Sequence, residues 1–533
     1  MSASVRRAAS ALTAAVFALT AVPAAAHTAL PLGTSNAGDA ALPLGPASLQ
    51  ESRTTQVLSP GVTLTTVLRG YASSSDYWTI NAGFFAARAT ADALAARLGA
   101  AGHPAAVQEI EGRAVDDPTR GPAGDIVTTG HFATEPQATA TSQQLTAAGF
   151  TGLSVTNTSL MGGETTGPWV VRILRVDSPE LPEVTSHLAT DVIPGKETVS
   201  SMAGRLGAVG AVNGGYFVVG TSDGVPGDLA GVAVENGHLV SEAVDHRAAL
   251  VLGQSGQHRA SVGSLTTELI VRSSDGAGRS LNGIDRSVGV IRDCGEPGDQ
   301  PTTMPQQDIT CTNPNEIVVF DGAFGTTAPT GTGVTAVLDE HGRVSQLTET
   351  RGGTIPAGGE LLEGVGTGAD WLRTNARLGM HLKIAERVTA DQRPLPLRPD
   401  TYVVNGGPFL VRDGQPYVDA YTEGFVHPAD PGFYYAFAIA RNPRTMAGLT
   451  GDGDLLLVTV DGRAPGYSVG MSFSEESAVM HTLGAVGAIN LDGGGSTTMV
   501  VNGQLLGRPS DTTGERPVGD AILVIPDPRR PHY

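Results

Sequence analysis

The sequence predicts an α+β chain in which a large mixed-sheet domain is preceded by a small (βαβ)2 domain. Three observations lead there. A segment near the N-terminus repeats once, at a constant offset of 47 residues that pairs Gly83 with Gly130 and Leu98 with Leu145. From Trp169 onward, short β-rich runs alternate with turn dipeptides and helices are few. Glycine accounts for 70 of 533 residues with no collagen-like period, which points to many tight turns between strands.

At the N-terminus, Arg6 and Arg7 precede an apolar run from Ala8 to Val22, closed by Pro23-Ala24-Ala25-Ala26. A positive start, a short apolar stretch and an A-x-A end have the form of a signal peptide over residues 1–26. The run falls short of the roughly 20 apolar residues of a membrane span, and no later stretch is long and apolar enough to supply one. The expected location is therefore outside the cell. Residues 27–55 are rich in Ala, Gly, Pro, Ser and Thr without periodicity and read as linker.

The repeat occupies a domain expected over 56–160. Tyr77 to Val107 matches Gly124 to Val155, and Phe85 answers Phe132 as Gly102 answers Gly149. Each unit reads as a short strand, a Gly-x-Phe turn, an Ala/Leu helix ending at glycine, and a second strand. Two such units pair into one sheet backed by two helices.

The large domain is expected over 168–527, with a short tail at 528–533. Asn236-Gly237, Asp452-Gly453, Asp461-Gly462 and Asn502-Gly503, each set between apolar runs, predict hairpins. The clearest helix lies at 473–483, where Ser472 and Glu475 have the spacing of a capping box and Gly484 ends it.

Acidic residues outnumber basic ones 53 to 34, for a formal charge of −19. Nucleic acid and anionic lipid repel such a chain, so neither is expected as a partner. Cys294 and Cys311 are the only cysteines and stand in a polar, Pro/Gly-rich stretch. In an oxidising compartment they most simply form one disulfide, contributing about 3 kcal/mol in the chain-entropy model. Two thiols with no nearby histidine are too few ligands for a metal.

Three apolar strands end in a polar residue followed by glycines: AVNGGYF with Asn213, YVVNGGPF with Asn405, and AINLDGGGSTT with Asp492. A buried strand fixes the polar side chain, and the glycines let backbone approach a ligand with no Cβ in the way. Successive N–H groups in a glycine turn also form an anion-binding concavity, and Ser496 and Thr497 add hydroxyls to the third motif. The pattern lacks the G-K-[ST] ending of a Walker loop, the Rossmann spacing and the serine-hydrolase elbow.

With RNPRTMAGLTGDGDLLLVTVDGRAPGYSVGMSF, INLDGGGSTTMVVNG and RPSDTTGERPV in order, the chain from 168 to 527 resembles the phosphodiester glycosidase family. The repeat resembles the sporulation-related repeat (SPOR) domain, a peptidoglycan-binding module of bacterial envelope proteins. The first resemblance implies a hydrolase that cuts the sugar C1–O bond of a sugar-1-phosphodiester, such as one of N-acetylglucosamine. The second implies attachment to cell-wall glycan.

Carried over by position, the family motifs point to Asp492, Arg444 and Asn213 as catalytic. Gly214, Gly215, Tyr216, Asn405, Thr445, Gly493, Gly494, Gly495, Ser496, Thr497 and Arg516 are the expected substrate-binding residues. Asp492 is the expected carboxylate, as nucleophile, base or stabiliser of an oxocarbenium-like centre, although an Asp can also merely cap a glycine turn. Arg444 is expected to grip phosphate oxygens with its planar fork, the competing reading being a plain ion pair. Asn213 and Tyr216 either orient sugar hydroxyls or are satisfied locally. A second carboxylate stays open among Asp223, Asp228 and Glu423, while His427 and His481 read as structural or exposed.

Two other readings compete: a glycan-binding protein without catalysis, and a metal-dependent phosphodiesterase that cuts P–O. The latter wants clustered histidine and carboxylate ligands, and no histidine adjoins Asp492 or Asn213. No cofactor is expected. A calcium ion held by the acidic stretch at 451–454 is conceivable, but a hairpin turn accounts for those residues more simply.

Overall fold

The computed structural model describes residues 40–178, 183–244, 246–253, 260–295, 297–300, 306–427 and 429–526. The expected signal peptide, linker residues 27–39 and the C-terminal tail lie outside them.

Strands β1 (Glu51–Ser59) and β2 (Val62–Arg69) form an antiparallel hairpin near the start of the described chain. After β2 comes the repeat: β3 (Trp78–Phe85), α1 (Arg88–Ala100), β4 (Ala105–Ile110), β5 (Gly124–Phe132), α2 (Glu135–Ala147) and β6 (Ser154–Asn157). Its sheet runs β4-β5-β3-β6, so the second strand of each unit pairs with the first strand of the other. The helices bury Ala91, Leu98 and, at the place equivalent to Leu98, Leu145 against Ile80 and Val127, and Ala138, equivalent to Ala91, is buried too. The expected sheet backed by two helices is present.

The chain then returns in β7 (Trp169–Val176), which pairs antiparallel with β2 from Val62↔Val176 to Arg69↔Trp169. The repeat module is thus an insertion between two neighbouring strands of the large sheet. This moves two expected boundaries. Residues 51–55, read as linker, lie in β1, and residues 56–69, assigned to the module, belong to the large sheet. Leu42 and Leu44, also inside the supposed linker, are fully buried beside Trp169.

Beyond β7 the large sheet continues through Leu455–Val460, Arg444–Thr450, Ala485–Asn490, Phe409–Arg412 and Gln415–Pro416. Leu455–Val460 and Arg444–Thr450 are buried along their whole length, as strands covered on both faces must be. A five-stranded sheet has Gly210–Asn213 at its centre, and a second eight-stranded sheet contains Thr401–Asn405. One apolar cluster joins Val212, Val404, Ile489 and Leu491, so packing of the three sheets brings their strand ends together.

The helix Phe473–Thr482 carries the expected capping box: Ser472 accepts from Glu475 N and Glu475 from Ser472 N. Asn236-Gly237 and Asn502-Gly503 have positive φ at both residues, as two-residue hairpin turns require. Asp452-Gly453 likewise joins paired strands. Asp461-Gly462 does not. Asp461 instead ends its strand and binds Arg172 and Tyr467, so a side-chain network replaces the expected turn.

Candidate active site

The strand Ala485–Asn490 leads through buried Leu491 into the Asp492 turn. Gly493 N donates to Asp492 Oδ1 at 2.9 Å, and Gly494–Ser496 form one 3-10 turn. A Cβ on Gly495 would stand 2.1 Å from Arg516 Nη2, so the bare glycine lets that guanidinium lie directly on the turn. Ser496 is fully buried with its hydroxyl beside the Asp492 carboxyl, and the Thr497 hydroxyl has no hydrogen-bonding partner among the described residues. Burial pushes the Asp492 carboxyl up to about 6; the nearby Ser496 hydroxyl, Arg516 and Gly493 N–H pull against it, and Asp293 pushes the same way as burial.

Asn213 sits behind this turn and is satisfied locally. Its Nδ2 donates to Asp492 O (2.8 Å) and Gly214 O (3.1 Å), and its Oδ1 accepts from Thr445 Oγ1 (2.7 Å) and Thr498 N (3.1 Å). Asn405 does the same for Tyr216, accepting from its N at 2.8 Å and donating to its O at 3.3 Å. The Tyr216 hydroxyl donates to Gly407 O at 2.7 Å and lies 2.6 Å from Asn490 Nδ2. Of the two alternatives for Asn213 and Tyr216, the structure takes local satisfaction: both align the strand ends. A Cβ on Gly214 would strike Asp520, and one on Gly215 would strike Asn405, so close approach requires both glycines.

Arg444 departs from expectation. It is 2% exposed; Nε donates to Met471 O, Nη2 to Phe437 O, and its charge faces Glu476 at 3.0 Å and the rings of Phe437 and Phe473. The fork expected to grip phosphate is occupied inside the protein, because the strand carrying Arg444 is covered on both faces. Burial draws its pKa below the usual value and pushes Glu476 up to about 8. The cations at the turn's outer side are Arg463, exposed and bonded to Asn442, and Arg516, held by both oxygens of Asp511.

None of the three candidate second carboxylates is an evident partner of Asp492. Asp223 binds Thr310 near the disulfide hairpin, and Asp228 is buried beside Glu242 and Arg286. Glu423 accepts from Ala248 N and Phe409 N, both at 2.9 Å, and tethers two strand ends. Asp520 and Asp293 are the carboxylates that sequence reasoning missed. Asp520 is buried, accepts from Gly215 N at 3.0 Å, and is pushed up to about 7 by burial and by the Asp492 charge. Asp293 pairs at 2.7 Å with buried Arg247. Each stands as a single Asp in a strand and carries no motif.

The Cys294–Cys311 disulfide is present and staples the hairpin that carries Asp293. His427 is buried, binds Gln307 O and stacks on Phe433, while His481 is exposed. In the acidic stretch 451–454, Asp454 is taken by Arg175 and Ser178 N. Among the described residues no three His, Cys, Asp or Glu side chains are grouped as a metal site needs.

Residues 332–525 match the phosphodiester glycosidase family model, and residues 74–156 match the SPOR domain model. The chain is 32% identical over 117 residues to the mouse N-acetylglucosamine-1-phosphodiester alpha-N-acetylglucosaminidase and 32% identical over 114 residues to the bovine one. Those stretches cover 22% of this chain and of the mouse protein, and 21% of each for the bovine one, so the chain matches about a fifth of these relatives' length. A putative exported protein from Burkholderia pseudomallei has the same fold at TM-score 0.84 and 36% identity, over 91% of this chain and 98% of that one. A hypothetical protein from Synechocystis shares the fold at TM-score 0.52 and 17% identity, over 90% of this chain and 80% of that one.

Proposed function

We propose that this chain, which belongs to the phosphodiester glycosidase family, hydrolyses the sugar C1–O bond of a sugar-1-phosphodiester, with N-acetylglucosamine the leading candidate sugar. One observation carries the reading. A carboxylate, two hydroxyls and an arginine meet on one glycine turn, inside the segment that matches the family model.

In this reading Asp492 meets the positive anomeric centre as nucleophile or base, once it is ionised above about pH 6. A phosphate monoester leaves with a far lower pKa than a sugar alkoxide, so strong general-acid help is unnecessary. Ser496 and Thr497 hydroxyls, glycine N–H groups, Arg516 and Arg463 stabilise the departing charge. Gly214, Gly215, Asn405 and Thr445 hold the neighbouring strand ends at the distance the turn needs. Arg444 packs behind the turn from inside, close to Gly493. Asp293 raises the Asp492 pKa through its charge.

Export and attachment to cell-wall glycan are the biological setting we infer. The SPOR match, the signal-like N-terminus and a full-length relative described as exported all support it. A phosphodiester-linked sugar on a wall glycopolymer is then the natural substrate class.

Incubation with a GlcNAc-1-phosphodiester in ¹⁸O-labelled water tests the bond. Label in the sugar is expected; label in the phosphate would replace this reading with P–O cleavage.

A further inference from the structure

We propose that the inserted repeat module is a fixed part of the catalytic apparatus, and that its Asp116 is a positioning residue for the segment closing the aromatic wall beside Tyr216. The inference rests on the functional reading above and adds a role for the module in turnover as well as attachment.

The module is held at both ends. Tyr71 N donates to Thr166 O and Thr166 Oγ1 to Tyr71 O, both at 2.8 Å, where the chain leaves and rejoins the large sheet. Its helices cover one face of its sheet. On the other face Phe84, Ile110 and Ile126 pack on Tyr435 and Ile439, with the rings of Phe84 and Tyr435 stacked at 4.8 Å. Beyond it, Arg441 binds Ser159 O and Gly163 O while both oxygens of Glu475 hold the same guanidinium. A hinged tether has no need of these contacts.

The loop between β4 and β5, residues 111–123, reaches furthest. It is shaped from within: Arg113 Nη1 donates to Asp117 at 2.9 Å and Nη2 to Pro122 O. Ala114 is buried in the cluster that contains Tyr216, Phe425, Tyr434 and Phe473. Asp116 accepts from Tyr421 N at 3.1 Å and Thr422 N at 2.6 Å, one oxygen to each. The next residue is Glu423, which ties the ends of two strands, and two further on is Phe425, tilted against Tyr216 at 6.1 Å. Asp116 thereby fixes the backbone from which this wall hangs.

The test uses the full chain with D116A and D116N, a small soluble GlcNAc-1-phosphodiester, and peptidoglycan sacculi. D116A is expected to lower kcat by about tenfold or more with little change in KM, as misplaced walls do. D116N keeps one acceptor oxygen and should recover part of the rate. Both variants should still bind sacculi, and D116A should speed amide exchange at Tyr421 and Thr422. An unchanged kcat in D116A would return the module to a plain tether. If the unaltered chain leaves the phosphodiester intact, the functional reading fails, and exchange alone judges the positioning role: unchanged exchange overturns it.

Discussion

Asn213 and Asp492 stand 279 residues apart in sequence, yet Asn213 Nδ2 donates to the Asp492 carbonyl at 2.8 Å. The same side chain binds Thr445 and Thr498, so one buried amide joins three segments behind the Asp492 turn.

Replacing Asn213 with Ala should therefore act on both fold and rate. It leaves the Thr498 N–H and Thr445 hydroxyl without their acceptor, at a cost of about 1–3 kcal/mol. The Asp492 turn then loses its support, and kcat should fall by about a hundredfold, as small displacements of reacting groups do. Denaturant melts and steady-state kinetics measure the two effects. A stability loss with unchanged kcat would show that the turn keeps its place without Asn213.

Activity should rise with pH through about 6 as Asp492 ionises. Asp492→Asn keeps the shape and removes the charge, and should lower kcat by several orders of magnitude with the fold intact. The pH–rate profile and circular dichroism check this. A variant as active as the parent would move the essential carboxylate to Asp293 or Asp520.

Stability should also fall with rising pH. Folding raises the carboxyl pKa of Asp492 to about 6, Asp520 to about 7 and Glu476 to about 8, so the folded state holds those protons more tightly than the unfolded one. Their contribution is full below the ordinary carboxylate values near 4 and is lost as pH climbs through 6 to 8. The melting temperature should be higher at pH 5 than at pH 8.5. Glu476→Gln should flatten the part between pH 7 and 9, and an unaltered slope would mean Glu476 is not among the groups responsible.

Arg444→Ala leaves the Glu476 carboxyl, protonated below about pH 8, without its partner in the interior and should cost about 1–3 kcal/mol. Replacing both partners, Arg444→Met with Glu476→Leu, should recover most of that loss, because a buried ion pair is often no more stable than its apolar equivalent. The double variant should keep kcat within about tenfold, since the Arg444 guanidinium faces inward. A folded double variant with no activity would restore Arg444 to contact with phosphate.

Local patterns fixed a good part of this molecule before any packing was known. The capping box at Ser472, the Asn-Gly turns, the repeat and the Asp492 glycine turn depend on neighbours within a few residues, or on one unit copied whole. Cys294 and Cys311 were legible because two cysteines have one pairing. Tertiary structure alone decided the rest. That Arg444 points inward follows from sheets covering both faces of its strand, which no short window records. Asp520 and Asp293 lie within electrostatic reach of Asp492 because β pairing and a stapled hairpin delivered them there from unmarked strands. The insertion of the module was hidden for the same reason: β2 and β7 flank about 100 residues, and only their hydrogen-bonded register shows that they are neighbours.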